Sequence, residues 1–198
     1  MAFEIYNGTA STFTQVVDKL IEMWEFDSVD QESSEHTATY GNAKIGGTNM
    51  VVRFYNGSTS LFNGEAFTAG SYTIVKSDNA ILASWKYSSS NYTYTLIFGN
   101  LTNIDGTTGK GAVLERGIPG NLCPYYLVAG ENADSNVSLA RTNTDILTQL
   151  IPYVSRTGGW VFDNAYRVLF DTTDGRRGLY MIGDERYYIS EWTAIKEE

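Results

Sequence analysis

The feature that most constrains this sequence is the stretch from Gly158 to Trp192, which reads GGWVFDNAYRVLFDTTDGRRGLYMIGDERYYISEW. An aromatic-rich strand pattern over 160–170 leads into turn residues at 171–178, and two short apolar runs follow at 179–182 and 186–189. Short strands joined by tight turns pair as antiparallel neighbours. The stretch therefore predicts a β-meander. It contains no histidine, no cysteine and no nucleophile beside a base.

The same alternation of strand and turn signals extends over most of the chain. The composition agrees, because 14% of the residues are aromatic and 19 glycines stand against 3 prolines, a balance typical of turn-rich sheets. Apart from the meander, the predicted strands are 37–40, 43–45, 49–55, 72–76, 80–87, 92–98, 110–115 and 125–129. Several of the connectors between them are short enough for antiparallel hairpins.

One amphipathic helix is predicted near the start. Thr12 followed by Gln15 fits a capping box. The apolar residues that recur at helical spacing are Phe13, Val16, Val17, Leu20, Ile21 and Trp24. Such a face needs a partner surface, and we expect that surface to be the sheet of its own domain.

A second, shorter helix is predicted near 144–151, with Pro152 just beyond it. The predicted fold is therefore α+β: a mostly antiparallel β sheet or sandwich with an N-terminal amphipathic helix and a second short helix. Residues 1–198 are expected to form a single domain, with 120–143 as the only reasonable place for a subdivision.

Charge and composition exclude several functions. A formal net charge of -9 repels phosphate backbones and acidic lipid surfaces, so neither nucleic acid nor a membrane is expected as a partner. The beginning of the sequence has no signal-peptide pattern, and no apolar run approaches the roughly 20 residues that span a bilayer. The single His36 and the single Cys123 offer neither a metal site nor a disulfide.

No residue is assigned a catalytic role, and no cofactor is expected. The segment GTTGKG at 106–111 lacks the glycine and the hydroxyl residue of a phosphate-binding loop, so it predicts a hairpin. His36 and Cys123 have no motif around them for nucleophilic catalysis. Asp163 and Asp171, near Trp160, form an acid pair that a small glycan-cleaving enzyme could use, although 23 acidic residues produce such neighbours by chance.

A carbohydrate platform is the main alternative from composition. Trp85, Tyr87, Tyr92 and Tyr94 cluster around one predicted hairpin, and exposed aromatic rings stack on sugars. The competing interpretation is that alternating aromatics fill the core of a sheet.

The C-terminal line SRTGGWVFDNAYRVLFDTTDGRRGLYMIGDERYYISEW resembles the endings of small virion proteins from tailed bacteriophages. In those proteins an F-x-N-x-Y-R-L-like strand is followed by a glycine-containing hairpin with two tyrosines. The resemblance covers about the last 40 residues. It implies a non-enzymatic virion structural protein, tail- or baseplate-associated, whose partners are other virion proteins and copies of itself.

The resemblance also implies assembly of the protein into the virion in the cytoplasm of the bacterial host. The alternatives are a carbohydrate- or receptor-binding module that contacts a host-surface glycan, and a capsid-surface decoration protein. The candidate interface residues are Phe3, Ile5, Tyr6, Arg176, Arg177 and Asp184. The first three form an apolar arm that could add a strand to a neighbouring sheet or could be the first strand of its own sheet.

Overall fold

The structure is a computed structural model. It describes residues 2–46, 51–56, 59–60, 67, 69–87, 92–117, 125–129, 149–154, 159–169, 176–191 and 193–197. These residues form a mostly antiparallel β structure with one described helix, and the larger sheet curls into a half-barrel.

The elements follow the chain in this order: β1 Glu4–Ala10, α1 Phe13–Met23, β2 Ser28–Asp30, β3 Thr37–Tyr40, β4 Ala43–Gly46, β5 Val51–Asn56, β6 Thr59–Ser60, β7 Gly70–Lys76, β8 Ala80–Tyr87, β9 Tyr92–Asn103, β10 Thr108–Gly117, β11 Tyr125–Ala129, β12 Gln149–Val154, β13 Trp160–Leu169, β14 Arg176–Ile182, β15 Glu185–Glu191 and β16 Thr193–Lys196. The strands predicted at 80–87 and 125–129 are confirmed at both ends.

Two sheets account for these strands. Eleven strands form the larger sheet, whose main path runs β1-β7-β8-β9-β13-β16-β15-β14; β10 pairs with β9 and β11, and β12 pairs with β13. The strands β2 to β6 form the smaller sheet in sequence order. Every pairing is antiparallel. Many neighbours in sequence pair as hairpins, whereas the β1–β7, β9–β13 and β13–β16 pairs join distant parts of the chain.

The helix α1 packs on the larger sheet, as predicted. Its N-terminus is closed by the Gln15 side chain, whose Oε1 accepts hydrogen bonds from the backbone N–H of Ser11 (2.6 Å) and of Thr12 (3.4 Å). The ring of Phe13 lies 5.2 Å from the ring of Trp85 on β8. The first core, between α1, the smaller sheet and one face of the larger sheet, includes Val16, Val17, Leu20, Ala38, Ile45, Ile74, Leu96 and Phe98. Burial of one face of the helix is what its amphipathic pattern requires.

The C-terminal meander belongs to the larger sheet, and the curl of that sheet packs it against the other face of β7 to β10. This second core joins β7 to β10 with β13, β15 and β16, and it includes Val75, Leu82, Ile97, Val113, Trp160, Phe162, Tyr188 and Ile195. A third, smaller cluster lies on the other side of the meander and includes Val168, Tyr187, Ile189 and Ala194. The half-barrel is therefore filled by its own side chains.

Two parts of the predicted fold differ from the structure. The second helix is not confirmed: residues 149–151 belong to the strand β12, in which Leu150 pairs with Val168 of β13, and 144–148 lie outside the described residues. Pairing with β13 therefore determines the backbone here, in place of the local helical spacing. A sandwich is not confirmed either, because the larger sheet curls into the half-barrel.

Candidate functional site

The predicted carbohydrate platform is wrong for the two residues whose side chains the structure describes. Trp85 and Tyr94 are each 1% exposed. Their rings stack on each other with centroids 6.0 Å apart and planes 20° apart, under the helix. Tyr87 and Tyr92 pair across the same hairpin, and their side chains lie outside the described part of the structure. Aromatic rings without exposed faces cannot stack on a sugar.

The N-terminal arm belongs to the chain's own sheet. All seven residues of β1 pair with β7, which matches the second of the two interpretations given above. Phe3 is half-buried against the second core, and its N–H donates a 2.9 Å hydrogen bond to the Glu197 carboxylate. The Tyr6 ring lies 5.8 Å from that of Tyr72. Of the three predicted interface residues in this arm, only Ile5 is classed as exposed, at 40%.

The other predicted interface residues lie at the opposite end of the sheet path. Arg176 and Arg177 begin β14, and Asp184 lies in the exposed turn before β15. The Arg177 guanidinium donates a 3.1 Å hydrogen bond to Thr93 Oγ1 on β9. Burial raises the pKa of the Tyr188 phenol, and the nearby Arg177 guanidinium acts in the opposite direction. Arg177 thus reaches across the half-barrel while part of its side chain stays in solvent.

β14 also exposes two large apolar side chains, both from the short apolar run at 179–182. Leu179 is 47% exposed and Met181 is 62% exposed. They alternate with Tyr180 and Ile182, which pack against the third cluster. Within the described residues β14 pairs only with β15, and β1 pairs only with β7. Among the described residues, both ends of the main path therefore have an edge with no neighbouring strand, and both carry exposed apolar residues.

A polar layer lies inside the half-barrel. Ser190 Oγ on β15 donates a 2.9 Å hydrogen bond to Ser84 Oγ on β8, and it lies 3.3 Å from Thr95 Oγ1 on β9. Glu115 on β10 is directly opposite Thr95 and is also buried. Buried polar groups are stable only when they are hydrogen-bonded. This layer therefore fixes how the meander sits on β8 and β9.

A groove of about 560 Å³ lies at the junction of β9 and β13. Its lining is mostly apolar and includes Trp160, Phe162 and the highly exposed Ile104, with Asp163 and Tyr166 beside them. The Trp160 ring itself is buried. Of the predicted acid pair, Asp163 is exposed and lines this groove, and Asp171 lies outside the described residues.

The histidine that had no recognisable motif pairs with an acid of the helix. His36 Nδ1 lies 2.6 Å from Asp18 Oδ1, and Gln31 Nε2 donates a 2.9 Å hydrogen bond to the same oxygen. These contacts fasten the loop between β2 and β3 to α1. Where side chains are described, no group of three or more histidine, cysteine or acidic residues lies close enough to hold a metal ion.

Comparisons of the chain with protein-family models, with curated proteins and with solved structures found no match. No helix among the described residues is long and apolar enough to cross a membrane. The candidate functional site is the pair of edges on β1 and β14 that lack a neighbouring strand within the described ranges.

Proposed function

We propose that this chain is a non-enzymatic structural subunit of a tailed-bacteriophage virion, associated with the tail or baseplate. It acts by binding copies of itself and other virion proteins after synthesis in the bacterial host. The C-terminal stretch 158–192, with its resemblance to phage virion proteins, supports the class. The exposed Leu179 and Met181 support the mode of action, because they lie on a strand, β14, that has no second neighbouring strand in the part of the chain that the structure describes.

That edge is the observation on which the proposal depends. An unpaired strand presents a row of free N–H and C=O groups that another chain can use, and proteins normally protect such edges with charges, prolines or bulges. Here the seven residues of β14 carry arginines at one end only and expose two apolar side chains at the other. Such an edge is suited to a protein partner.

Native mass spectrometry of the purified protein tests the assembly. We expect a discrete oligomer whose mass is a multiple of 22.0 kDa. The fraction of the protein in this oligomer should increase as the protein concentration rises. The genes that flank the coding sequence test the class: portal, capsid or tape-measure genes are expected there. A strictly monomeric protein whose gene has no virion neighbours would overturn the proposal.

A host-surface glycan is the second candidate ligand, and the groove at the β9–β13 junction is the feature that favours it. Tyr166 and Asp163 supply an aromatic ring and a carboxylate at its wall. Binding to a glycan array, lost in Tyr166→Ala and kept in Trp85→Phe, would support this receptor-binding alternative. A capsid-surface position would be distinguished from a tail position by immunogold labelling of intact virions.

A further inference from the structure

We propose that β14 of one copy pairs antiparallel with β1 of the next copy, so that the subunits assemble head-to-tail. This inference rests on the proposed structural role and specifies its contact. The occupant proposed for the β14 edge, beside which no further strand lies among the described residues, is a second copy of this chain, through its residues Glu4–Ala10.

The topology makes this pairing continuous with the sheet. The main path from β1 to β14 contains eight strands, and each runs antiparallel to the one before it. The first and last strands of an even-numbered alternating path have opposite directions. Placing β1 of a second copy beside β14 therefore extends the same alternation, and each new copy presents a new free β14.

The two edges also match in length and in the faces they expose. Each strand has seven residues. Ile5 pairs with Val75 and Leu179 pairs with Tyr188, and both of these partners belong to the second core. Paired residues share a face of a sheet. The exposed side chains of Ile5 and Leu179, with Met181 two residues further, therefore project from the same face.

A full overlap of the two strands places three pairs of similar residues opposite each other. With Glu4 opposite Ile182, Ile5 falls opposite Met181 and Asn7 falls opposite Leu179. The same register places Tyr6 against Tyr180 and Gly8 against Gly178. The junction would cover the exposed apolar surface of both strands, and cross-strand apolar and aromatic pairs each stabilise a sheet.

Charge favours this pairing over β14 with β14. The strand β14 contains two arginines and no acid, and β1 contains one glutamate and no base. Two β14 strands would bring four arginines to one junction, whereas β14 with β1 brings only two. In the full-overlap register these two lie opposite Thr9 and Ala10, and Glu4, which lies 3.8 Å from Lys76 of its own chain, is at the other end of the junction. In a chain with a net charge of -9, the cationic edge of β14 is a favourable place for an acidic neighbour to approach.

A contact between two different edges has a consequence for symmetry. Each copy uses its β14 once and its β1 once, so the contact is heterologous and produces a ring if the rotation closes. Closed rings are compatible with a position in the tail or baseplate.

The test uses two cysteine variants in a Cys123→Ser background, which removes the single native thiol. Ile5→Cys and Met181→Cys are made as separate proteins and are mixed before oxidation. Directly opposite residues on antiparallel strands have Cα atoms about 4.5–5.5 Å apart, which suits a disulfide. We expect a mixed dimer, and peptide mass spectrometry should find the 5–181 linkage. Since each protein has only one of the two cysteines, the linkage can form only between copies.

Val29 gives the matched control, because it is another exposed apolar strand residue but belongs to the smaller sheet. Val29→Cys mixed with Met181→Cys should give no enriched mixed dimer. In the cysteine-intact protein, Met181→Lys should raise the concentration needed for assembly at least about tenfold, whereas Val29→Lys should leave it unchanged. Circular dichroism of both lysine variants is the control for folding, and both should give the spectrum of the parent protein.

The outcomes separate this inference from the proposed function. Dimers formed by Met181→Cys alone, in excess of the mixed product, would show β14 pairing with itself and overturn the inference. An oligomer in native mass spectrometry without the 5–181 linkage would place the contact elsewhere; the inference would fall and the structural role would stand. A monomer at every concentration would remove both.

Discussion

At the scale of single residues, Trp85 and Tyr94 determine which aromatic interpretation is right. Alternating aromatics on a hairpin look the same in sequence whether they face solvent or the core. The distinction depends on what covers that face, and here α1 covers it, with Phe13 in contact with Trp85. These rings therefore contribute stability and are not accessible to a ligand.

This burial predicts a large stability loss for Trp85→Ala. Removal of a fully buried Trp typically lowers the free energy of unfolding by about 3–5 kcal/mol, and urea denaturation monitored by circular dichroism measures the change. Tyr180→Ala, at a half-buried position on the edge strand, should cost less. A loss within about 0.5 kcal/mol for Trp85→Ala is what a surface position would give, and it would contradict the buried placement.

Tyr40 and Asp27 form the clearest electrostatic pair in the described residues. Desolvation raises the pKa of Asp27, but hydrogen bonds from Lys110 and from the Gly41 N–H outweigh it, so the pKa is lowered overall. Burial, followed by the Asp27 charge, raises the pKa of Tyr40 to about 12. The Lys110 ammonium lies 4.9 Å from the centre of the Tyr40 ring. Together these contacts hold β10 against the smaller sheet.

The raised pKa of Tyr40 predicts a loss of stability in alkali. A phenol whose pKa is higher in the folded state contributes stability that is fully present below its ordinary pKa of 10.0 and is lost as the pH rises to about 12. The free energy of unfolding, measured by urea at several pH values, should fall less steeply over this range in Tyr40→Phe than in the parent. Because other buried tyrosines titrate in both proteins, the difference between the two slopes is the test; equal slopes would contradict it.

Tyr40→Phe should also lose about 0.5–1.5 kcal/mol at neutral pH. The Tyr40 hydroxyl donates a 3.2 Å hydrogen bond to Asn100 Oδ1, and phenylalanine cannot replace it. This constant offset is independent of pH below 10.0 and does not affect the comparison of slopes.

At the scale of elements, local patterns predicted α1 and most hairpins, because their hydrogen bonds and turns lie within a few residues. Two of the failures are elements whose state depends on distant partners. β12 has apolar residues at helical spacing but extends along β13. β16 was not predicted as a strand, because Thr193–Lys196 is short and acquires its hydrogen-bond partners only between β13 and β15.

The sequence predicted some residues of the candidate site but not their arrangement in the sheet. The sequence singled out Ile5 and the Arg176–Arg177 pair, and it marked 179–182 as apolar. It could not show that β1 and β14 are the two ends of the sheet path, because strand order depends on non-local pairing. Nor could it show that Leu179 and Met181 are left exposed while Tyr180 and Ile182 pack against the third cluster.

The central position of β16 gives a prediction about the C-terminal element. A chain that ends at residue 192 loses the strand that pairs with both β13 and β15. Hydrogen-exchange mass spectrometry should then find reduced protection in β13 and β15, while α1 keeps most of its protection. Lys196→Ala is the control, since it removes the partly exposed ion pair with Glu185 and leaves the β16 backbone in place. Such an ion pair is worth about 0–1 kcal/mol. Unchanged protection in β13 would show that β16 is not needed there.

At the scale of the whole molecule, distant parts of the sequence meet inside the half-barrel. Ser84 and Ser190 are 106 residues apart and share a buried hydrogen bond, and the N–H of Phe3 bonds to Glu197. Each contact joins the N-terminal half of the larger sheet to the meander. That residues 1–198 form a single domain stays a sequence-based prediction, which equilibrium unfolding can test.

The polar layer provides that test. In Ser190→Ala the buried Ser84 and Thr95 hydroxyls lose a hydrogen-bond partner, which costs about 1–3 kcal/mol; Ser84→Ala removes the same bond from the other side. The double variant should therefore lose less stability than the sum of the two single losses, with a coupling of about 0.5–3 kcal/mol.

If residues 1–198 unfold as one unit, both single variants shift the same transition, because the bond exists only while both parts are folded. Unfolding should then coincide when it is followed by tryptophan fluorescence and by far-ultraviolet circular dichroism. Two separate transitions, each shifted by only one of the variants, would instead indicate two domains that unfold independently, with the subdivision near 120–143 as the boundary between them.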